Sequence, residues 1–384
     1  MNRLKCLSLF SNVGMAESYF HEIGIDVLLA NELLPERAKF YENLYPNTQM
    51  ICGDITDDTI RKEIINKSIE KGIDFILATP PCQGMSRHGK QDPNDIRNQL
   101  IFYAIDVIKK VRPKFVLLEN VPKLLTTKID CNGEKIYIFD YIKKELDEEY
   151  DISENVLFNA SDYGVPQSRT RCIIRIKLKS MNKIKWQDPI KSRQITMQEA
   201  IGDLPSLDPL VREEDMRYKF PDFESKRIEG LKVSKWHYPP THSWRHIEWM
   251  MHTPSGKTAV ENKLFYPIKS GERINARLSC YRRYAWIRPA NTITQNNGVI
   301  SSSTCVHPGR KIGKDEFGLD IYSDPRVLTI YELLIVSSLP LDWNIPNWAS
   351  EKLIRNVIGE GIPPLLVKAI VSPLMDEIKT MENK

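Results

Sequence analysis

Apolar runs alternate with amphipathic segments over about the first 180 residues of the chain. The apolar runs predict strands at residues 4–10, 27–31, 74–78, 115–119, 156–159 and 171–177. The segments between them predict helices near residues 17–22, 35–43, 59–71, 98–111 and 137–148. Strands that alternate with helices at this spacing indicate an α/β fold with a mostly parallel sheet and helices on both faces.

This alternation ends in the middle of the chain. Residues 181–325 are rich in Pro, Trp and charged residues and show no regular period, which predicts a second, irregular domain. One more helix is predicted at residues 364–379. Its apolar positions are Leu365, Leu366, Ala369, Ile370, Leu374 and Ile378. We expect this helix to return and pack on the first domain.

Length and composition narrow the class of protein. The chain has 384 residues, enough for one large domain and a smaller one, and its hydrophobic content of 41% is typical of soluble proteins. Because no apolar stretch reaches about 18 residues, we expect no membrane span, and residues 1–6 show no signal-peptide pattern. The seven cysteines are odd in number and lack a Cys-x-x-Cys pair. These features predict a cytoplasmic protein without disulfides and without a zinc site.

Charge is unevenly distributed along the chain. The formal net charge is only +4, but residues 226–311 contain 15 Lys and Arg against 4 Asp and Glu. The same segment carries nine aromatic side chains. Basic residues interleaved with aromatic ones favour a face that binds nucleic acid, and a solvated basic surface is the alternative.

Cys82 has the most informative setting of the seven cysteines. It follows the predicted strand at residues 74–78 and two prolines, Pro80 and Pro81, which cannot continue a ladder. A thiol on a rigid turn just past the carboxyl end of a strand lies where open α/β sheets place their chemistry. The position therefore favours a nucleophile over a buried structural thiol.

The ends of the first three strands carry residues suited to a nucleotide. The segment from Phe10 to Met15 resembles a strand–turn–helix corner, in which Asn12 stands where glycine is usual and φ must be positive. Glu32 could accept hydrogen bonds from a ribose diol, and Asp54 from an adenine amino group, with Ile55 packed on the ring. Each feature alone could be an ordinary turn or a solvated acid. Together they predict a cofactor that contains adenosine.

Two further segments supply charged groups near the same edge. Glu119 ends an apolar strand, so partial burial should raise its pKa and prepare it to donate a proton, although a structural carboxylate is the alternative. Alternation places Gln167, Arg169 and Arg171 on one face. Such donors could hold a carboxylate, a phosphate or a carbonyl oxygen, unless they only form a basic surface.

These blocks, in this order, resemble the DNA cytosine-C5 methyltransferase family over most of the chain. The cofactor motifs are residues 10–14 with Glu32, Asp54 and Ile55. The catalytic motifs are Pro81-Cys82-Gln83 with Ser86 and residues 97–100, then Glu119-Asn120-Val121, then Gln167-x-Arg169-x-Arg171. The later motifs are residues 288–294, 307–308, 326–333 and 359–364. The departures are Asn12 for the first family glycine, Glu360 where asparagine is common, and Ser337-Ser338-Leu339-Pro340 for Leu-Gln-Gly-Phe-Pro. They indicate a divergent branch.

The resemblance implies a Rossmann-like domain that uses S-adenosylmethionine and releases S-adenosylhomocysteine. It implies that Cys82 attacks C6 of cytosine, while Glu119 bonds N3 and the amine. Arg171 would hold O2, and Arg169 would orient the acid or a phosphate. Implied cofactor contacts are Phe10, Ser11, Asn12, Gly14, Met15, Glu32, Leu33, Asp54, Ile55, Pro80 and Leu100. Implied DNA contacts are Ser86, Arg87, Gln167, Arg245, His246, Arg273, Arg277, Arg282 and Arg283.

The resemblance also implies a setting for the enzyme. The substrate would be double-stranded DNA with the target cytosine flipped out, and residues 86–98 would form a lid. A monomer in a prokaryotic cytoplasm is expected, with a separate restriction endonuclease as its partner. The implied domains are a catalytic domain at 1–185 and 345–384, target recognition at 186–325, and a hinge at 326–344.

Two other functions remain open at the level of sequence. One is a tRNA cytosine methyltransferase, whose members typically continue Pro-Pro-Cys-Gln with Pro-Phe-Thr, whereas this chain has Gly84-Met85-Ser86. The other is a catalytically inactive DNA-binding relative, which would usually lack the cysteine, the glutamate or the cofactor turn. The residues present favour an active DNA enzyme.

Overall fold

A computed structural model of the protein describes residues 3–81, 99–131 and 133–382. The strands of its first region are β1 Leu4–Leu9, β2 Ile25–Glu32, β3 Gln49–Cys52, β4 Phe75–Ala78, β5 Phe115–Asn120, β6 Lys128–Cys131, β7 Glu134–Tyr137, β8 Tyr150–Ile152, β9 Leu157–Asn159, β10 Gln167–Ser168 and β11 Thr170–Leu178. Eight of them form the central sheet in the order β3-β2-β1-β4-β5-β11-β8, with β9 also paired to β11. Strands β1 to β5 are parallel, so their carboxyl ends meet at one edge.

Helices cover both faces of this sheet. The helices of the first region are α1 Phe20–Ile23, α2 Pro35–Leu44, α3 Asp58–Lys71, α4 Leu100–Val111 and α5 Ile138–Leu146. Helix α3 begins at the Asp57 carboxylate, which accepts the backbone N–H groups of Thr59 and Ile60, and it ends at Gly72 in the left-handed region. Helices α3, α4 and α5 bury apolar side chains against one face of the sheet. The other face packs against α1 and the C-terminal helix.

The middle of the chain is irregular and has very short strands, and we refer to it as the irregular domain. These are β12 Leu210–Val211, β13 Thr241–His242, β14 Ile268–Lys269, β15 Glu272–Arg273, β16 Ala290–Asn291, β17 Lys311–Lys314 and β18 Asp320–Tyr322. The remaining helices are α6 Met197–Ile201, α7 Phe223–Val233, α8 Trp244–Met251, α9 Ile330–Val336, α10 Glu351–Glu360 and α11 Pro364–Glu382. The domain has a small core of its own around Trp249, Tyr281 and Val306.

The predicted strands of the first region are confirmed, with ends that differ by one or two residues. Strands β3 and β8 were not predicted, because each is short and buries only one residue fully. The final helix packs on the first domain as expected. Of its predicted apolar positions, Leu366, Ile370 and Leu374 are buried, and Leu365, Ala369 and Ile378 pack partly buried against the same core. Val367, Val371 and Met375 are buried as well.

The described residues also bear on membranes, metals and disulfides. No single helix among them is long and apolar enough to cross a membrane, although the bent pair α10 and α11 passes by length and composition. No group of three or more His, Cys, Asp or Glu in these ranges could hold a metal ion. The six cysteines that they include are free thiols.

Candidate active site

The turn that leads to Cys82 is fastened to the strands on either side. Strand β4 is fully buried, and beyond it the Thr79 hydroxyl donates to the carbonyl of Phe10 at 3.0 Å. The Asn120 side chain, at the end of β5, donates to the Pro80 carbonyl at 3.0 Å. The chain is therefore fixed up to Pro81. Residues 82–98, and with them Cys82, Ser86 and Arg87, lie outside the described part of the chain.

Glu119 and Arg171 meet at the same edge. Strand β11 runs antiparallel to β5, with Ile173 opposite Glu119, so that Arg171 comes close to the carboxylate. Its Nε lies 3.0 Å from Oε1 of Glu119, and both side chains are largely buried. Burial raises the pKa of Glu119, and the positive charges of Arg171 and Arg169 offset part of this rise. The pair can present a carboxyl group with a raised pKa beside a fixed cation.

Arg169 and Gln167 are buried and hold backbone rather than facing open space. Arg169 donates to the carbonyl of Ile293 at 2.7 Å and to that of Gly359 at 3.0 Å. Gln167 accepts the backbone N–H of Ile293 at 3.2 Å and is 1% exposed. Its amide fastens residues 290–293 to the catalytic region, and a DNA contact of Gln167 stays a prediction. Arg169 lies near Glu119 and ties Ile293 and α10 to it.

The turn after β1 has the strained backbone that the sequence predicted. Phe10, Asn12 and Gly14 have φ values of 57°, 50° and 77°, so the expectation of a positive φ at Asn12 is confirmed. The Asn12 N–H donates to Oε2 of Glu32 at 2.9 Å, and Oε1 accepts the N–H of Leu34 at 3.0 Å. These bonds couple the turn to the acid at the end of β2. A carboxylate has further lone pairs with which it could accept from a ligand.

This corner fits an adenosine-containing cofactor such as S-adenosylmethionine. Oδ1 of Asn12 is buried and has no hydrogen-bond partner among the described residues, so it can accept from a ligand's amino group. Leu33 is 55% exposed beside Glu32 and offers an apolar surface for a flat ring. Asp54 is exposed, and its carboxylate accepts the N–H of Thr56 at 2.9 Å.

The other predicted cofactor residues differ in how accessible they are. Ile55 is 3% exposed and packs in the core, where it leaves little surface for a ring. Ser11 and Met15 are also buried, and Ser11 donates to the Asn31 carbonyl at 3.2 Å. Leu100, the first residue of α4, is half-buried. The accessible part of the corner is therefore formed mainly by its backbone, Leu33 and Asp54.

The predicted DNA-binding arginines fall into two groups. Arg245 and Arg277 are exposed and form no ion pair within the described ranges. Arg273 and Arg282 donate to backbone carbonyls, to Asn262 at 3.0 Å and to Gly256 at 2.8 Å. Arg283 is 0% exposed and donates to the carbonyls of Met250, His307 and Asp324. The guanidinium group of Arg283 thus has a structural role in satisfying buried carbonyls, and its DNA contact stays a prediction.

One titratable residue of the region was missed from the sequence. The sequence predicts a helix near residues 17–22, but the helix starts at Phe20, and Glu17 is only 3% exposed. Burial raises its pKa to about 7, and the hydroxyl groups of Tyr41 and Ser8 offset only part of this effect. No local pattern signals its burial, since Tyr41 comes from α2.

The comparisons with known proteins agree with this geometry. The model of the family described as C-5 cytosine-specific DNA methylase matches residues 4–376. The chain belongs to this family. It is therefore an enzyme, a DNA cytosine-C5 methyltransferase, and the resemblance inferred from its motifs is confirmed.

Individual members of the methylase family match along the whole chain. The Type II methyltransferase M1.HgaI of Avibacterium volantium is 42% identical over 378 residues, which are 97% of this chain and 98% of that protein. The Type II methyltransferase M.XorII of Xanthomonas oryzae pv. oryzae is 26% identical and covers 100% of this chain and 87% of its own length. The M1.HgaI match thus extends over both the catalytic region and the irregular domain.

Solved structures share the fold of this methylase at low sequence identity. A structure described as a DNA modification methyltransferase encoded within an E. coli prophage superposes with a TM-score of 0.66 at 21% identity, covering 98% of this chain and 99% of that one. A Spodoptera frugiperda DNMT2 mutant superposes with a TM-score of 0.60 at 18% identity, covering 97% and 99%. The expected Rossmann-like α/β fold is confirmed.

Proposed function

We propose that the protein transfers a methyl group from S-adenosylmethionine to C5 of a flipped-out cytosine in a specific duplex DNA sequence, through a covalent adduct between Cys82 and C6. The observation that carries this proposal is the buried Glu119–Arg171 pair at the end of β5. It lies beside the end of β4, whose turn leads directly to Cys82. The turn that leads to the proposed nucleophile thus begins at the strand end next to the one that carries the acid.

The proposed chemistry begins at C6, because C5 of an aromatic cytosine is a poor nucleophile. The Cys82 thiolate forms a bond to C6, and the C5=C6 electron pair moves toward the ring nitrogen N3. Glu119, whose pKa burial raises, gives a proton to N3 and so stabilises the resulting enamine. C5 is then nucleophilic enough to take a methyl group. N3 returns its proton to Glu119, and water takes the C5 proton, whose electron pair restores the C5=C6 double bond as the Cys82 thiolate leaves.

Arg171 and Arg169 are proposed to position the base and the acid. Arg171 already bonds Glu119 at 3.0 Å, and it retains N–H donors that could bond O2 of the cytosine. Arg169 holds the carbonyls of Ile293 and Gly359, so it would keep its charge near Glu119 without touching the base. The carbonyl of Pro81 would accept from the exocyclic amine.

The cofactor would occupy the corner at the ends of β1, β2 and β3. Glu32 would accept from the ribose hydroxyls, Asp54 from the adenine amino group, and Leu33 would pack on the ring. Asn12 would accept from the amino group of the methionine part through its buried Oδ1. When bound, S-adenosylmethionine supplies an electrophilic methyl group.

The substrate would be duplex DNA bound between the catalytic region and the irregular domain. Extruding a base costs a few kcal/mol, and phosphate contacts from the basic segment at 226–311 could offset this cost. We propose that the enzyme acts as a cytoplasmic monomer in a prokaryote, where it protects host DNA from a separate restriction endonuclease. Its relatives named as Type II methyltransferases support this setting.

The first test is transfer of labelled methyl from S-adenosylmethionine to unmethylated duplex DNA, with tRNA as a parallel substrate. We expect label on DNA, recovered as 5-methylcytosine, with the wild type and none with Cys82→Ala. Sequencing of the product then gives the recognition site. Label on tRNA instead would favour the tRNA alternative. Cofactor binding without any transfer would favour a catalytically inactive relative.

A further inference from the structure

A cavity of about 460 Å³ opens in the irregular domain, outside the site described above. It forms where three segments meet, one just after β12, one from β13 into α8, and one at residues 298–300. Strands β12 and β13 pair in parallel, and the N–H of Arg212 donates to the His242 carbonyl at 2.9 Å. This pairing places Arg212 beside the start of α8. The cavity lining includes Arg212, His242, Ser243, Arg245 and His246, and we call it the basic cavity.

The charges of the basic cavity are not neutralised by the protein. Arg212 and Arg245 are both exposed, and neither forms an ion pair within the part of the chain that the structure describes. One carboxylate, Glu213, also lines the cavity, but its Oε2 accepts the Trp244 N–H at the start of α8 at 2.7 Å. The pKa of His246 is lowered to about 4, mainly by burial and to a smaller extent by the positive charges of Arg245 and Arg212. The side-chain charges in the cavity therefore sum to a positive value.

His242 contributes a buried donor to the basic cavity. It is 5% exposed, and its Nε2 accepts the backbone N–H of Val327 at 3.2 Å. A neutral imidazole that accepts at Nε2 carries its proton on Nδ1. Burial, with Arg355 as the next cause, lowers the pKa of His242 to about 3, which keeps the ring neutral. Its Nδ1 has no hydrogen-bond partner among the described residues, so this N–H is available to a ligand in the cavity.

The basic cavity lies close to the catalytic edge along the chain. Arg169 fixes the carbonyl of Ile293 at 2.7 Å, and Gly298, which lines the cavity, follows only five residues later. Five residues span at most about 18 Å. One strand of a duplex carries a phosphate every ~3.4 Å of the helix axis, so this distance corresponds to roughly five base pairs. Gly298 is therefore at most about 18 Å along the chain from the segment that Arg169 ties to the catalytic region.

We propose that the basic cavity binds a backbone phosphate of the substrate DNA, a few base pairs from the target cytosine, through Arg212, Arg245 and Nδ1–H of His242. The inference rests on the proposed function. A phosphate only accepts hydrogen bonds, which matches a lining whose unpaired groups are mainly donors. A base edge presents both donors and acceptors in most cases, whereas Glu213 is the one carboxylate in the lining that could pair with a base donor.

The test is the salt dependence of DNA binding by Arg212→Ala and Arg245→Ala. Dissociation constants are measured between 50 and 200 mM salt for a duplex that accepts methyl and for one that does not. Each variant should bind both duplexes roughly tenfold more weakly. The plot of log association constant against log salt should become less steep by about 1. Arg227→Ala is the matched control, because Arg227 is partly exposed in the same domain but already paired with Glu224, and it should leave the slope unchanged.

The outcomes separate this inference from the proposed function. If the wild type transfers methyl but both variants keep its salt slope, the phosphate site is refuted and the proposed function stands. A variant that loses affinity for only one of the two duplexes would mean that its arginine reads a base, which also refutes the inference. If the wild type transfers no methyl, the proposed function itself fails. If each variant unfolds at the same temperature as the wild type, a folding defect is excluded as the cause of weaker DNA binding.

Discussion

The edge of the central sheet and the irregular domain use arginine in different ways. At the sheet edge the backbone is satisfied by ladders, so Arg171 is free to pair with Glu119 beside the proposed site of chemistry. In the irregular domain the strands have two to four residues, and many carbonyls lack a ladder partner. There Arg283 is buried and donates to three of these carbonyls. A basic segment can therefore reflect the needs of an irregular backbone as well as those of DNA.

Arg326 extends this comparison, since it joins carboxylates as well as the backbone carbonyls of Leu207 and Val327. It is 0% exposed and bonds Asp324 at 2.8 Å and both carboxylate oxygens of Glu332. Burial alone would raise the pKa of Glu332, but Arg326 holds it at about 2. This ion-pair cluster fixes the chain between the irregular domain and α9. Removing one partner would leave an uncompensated buried charge.

The largest effect is expected at the sheet edge. Glu119→Gln should lower the rate of methyl transfer by roughly 10²–10⁴-fold, because an amide cannot give a proton to N3. The variant should fold normally, since Gln keeps the shape and can still accept from Arg171. Single-turnover transfer of labelled methyl at saturating cofactor measures the rate. A rate within threefold of the wild type would show that Glu119 is only structural.

The next effect concerns stability rather than chemistry. Arg283→Leu should lower the free energy of unfolding by about 3–5 kcal/mol, because buried carbonyls lose a charged donor. Arg277 is an exposed arginine of the same segment, so Arg277→Leu should change the free energy of unfolding by less than about 0.5 kcal/mol. Urea unfolding measures both. An Arg283→Leu protein of wild-type stability with weakened DNA binding would instead indicate that Arg283 contacts DNA.

A third prediction concerns the pH dependence of stability that comes from Glu17, a carboxyl group buried behind the cofactor turn. The pKa of Glu17 is about 7 in the folded protein and lies near 4.3 in an unfolded chain. The folded state then holds a proton that the unfolded state has lost, so stability is highest below about pH 4.3 for this group. It falls as pH rises toward 7 and then stays constant.

Glu17→Gln should remove this dependence, because an amide does not ionise. Relative to the wild type, the variant should gain on the order of 3 kcal/mol of stability between pH 5 and pH 8. Urea unfolding at both pH values measures the gain. An equal difference between variant and wild type at the two values would mean that Glu17 titrates as an exposed carboxylate does.

The smallest effect is expected where the two regions join. The Glu360 carboxylate lies 2.7 Å from the Arg37 guanidinium and also accepts from Gln295, so it links α10 with α2 and with the irregular segment. Glu360→Asn, which restores the residue common in the family, should cost about 1 kcal/mol at low salt and less at high salt. In a cycle with Arg37→Gln, additive losses would show that the pair contributes nothing.

Much of the fold was predictable because its signal is local. The five buried strands and the amphipathic helices between them carry their period in the sequence, and Asn12 marked the positive φ of the cofactor turn. Strands β3 and β8 escaped prediction because each has only one fully buried residue. The order of strands, and the burial of Glu17 against Tyr41, depend on contacts between distant segments.

The sequence by itself determined the family, the order of its motifs, and the location of Glu119 and of the turn before Cys82 at one edge of the sheet. Only the tertiary structure decided which basic residues are free to meet DNA. Arg283 and Gln167 satisfy buried backbone groups, whereas Arg212 and Arg245 remain unpaired at a cavity. The reason is physical: in a regular sheet the strand period fixes which way a side chain points, but in an irregular domain the partner of each guanidinium group depends on which carbonyls the fold leaves without a donor.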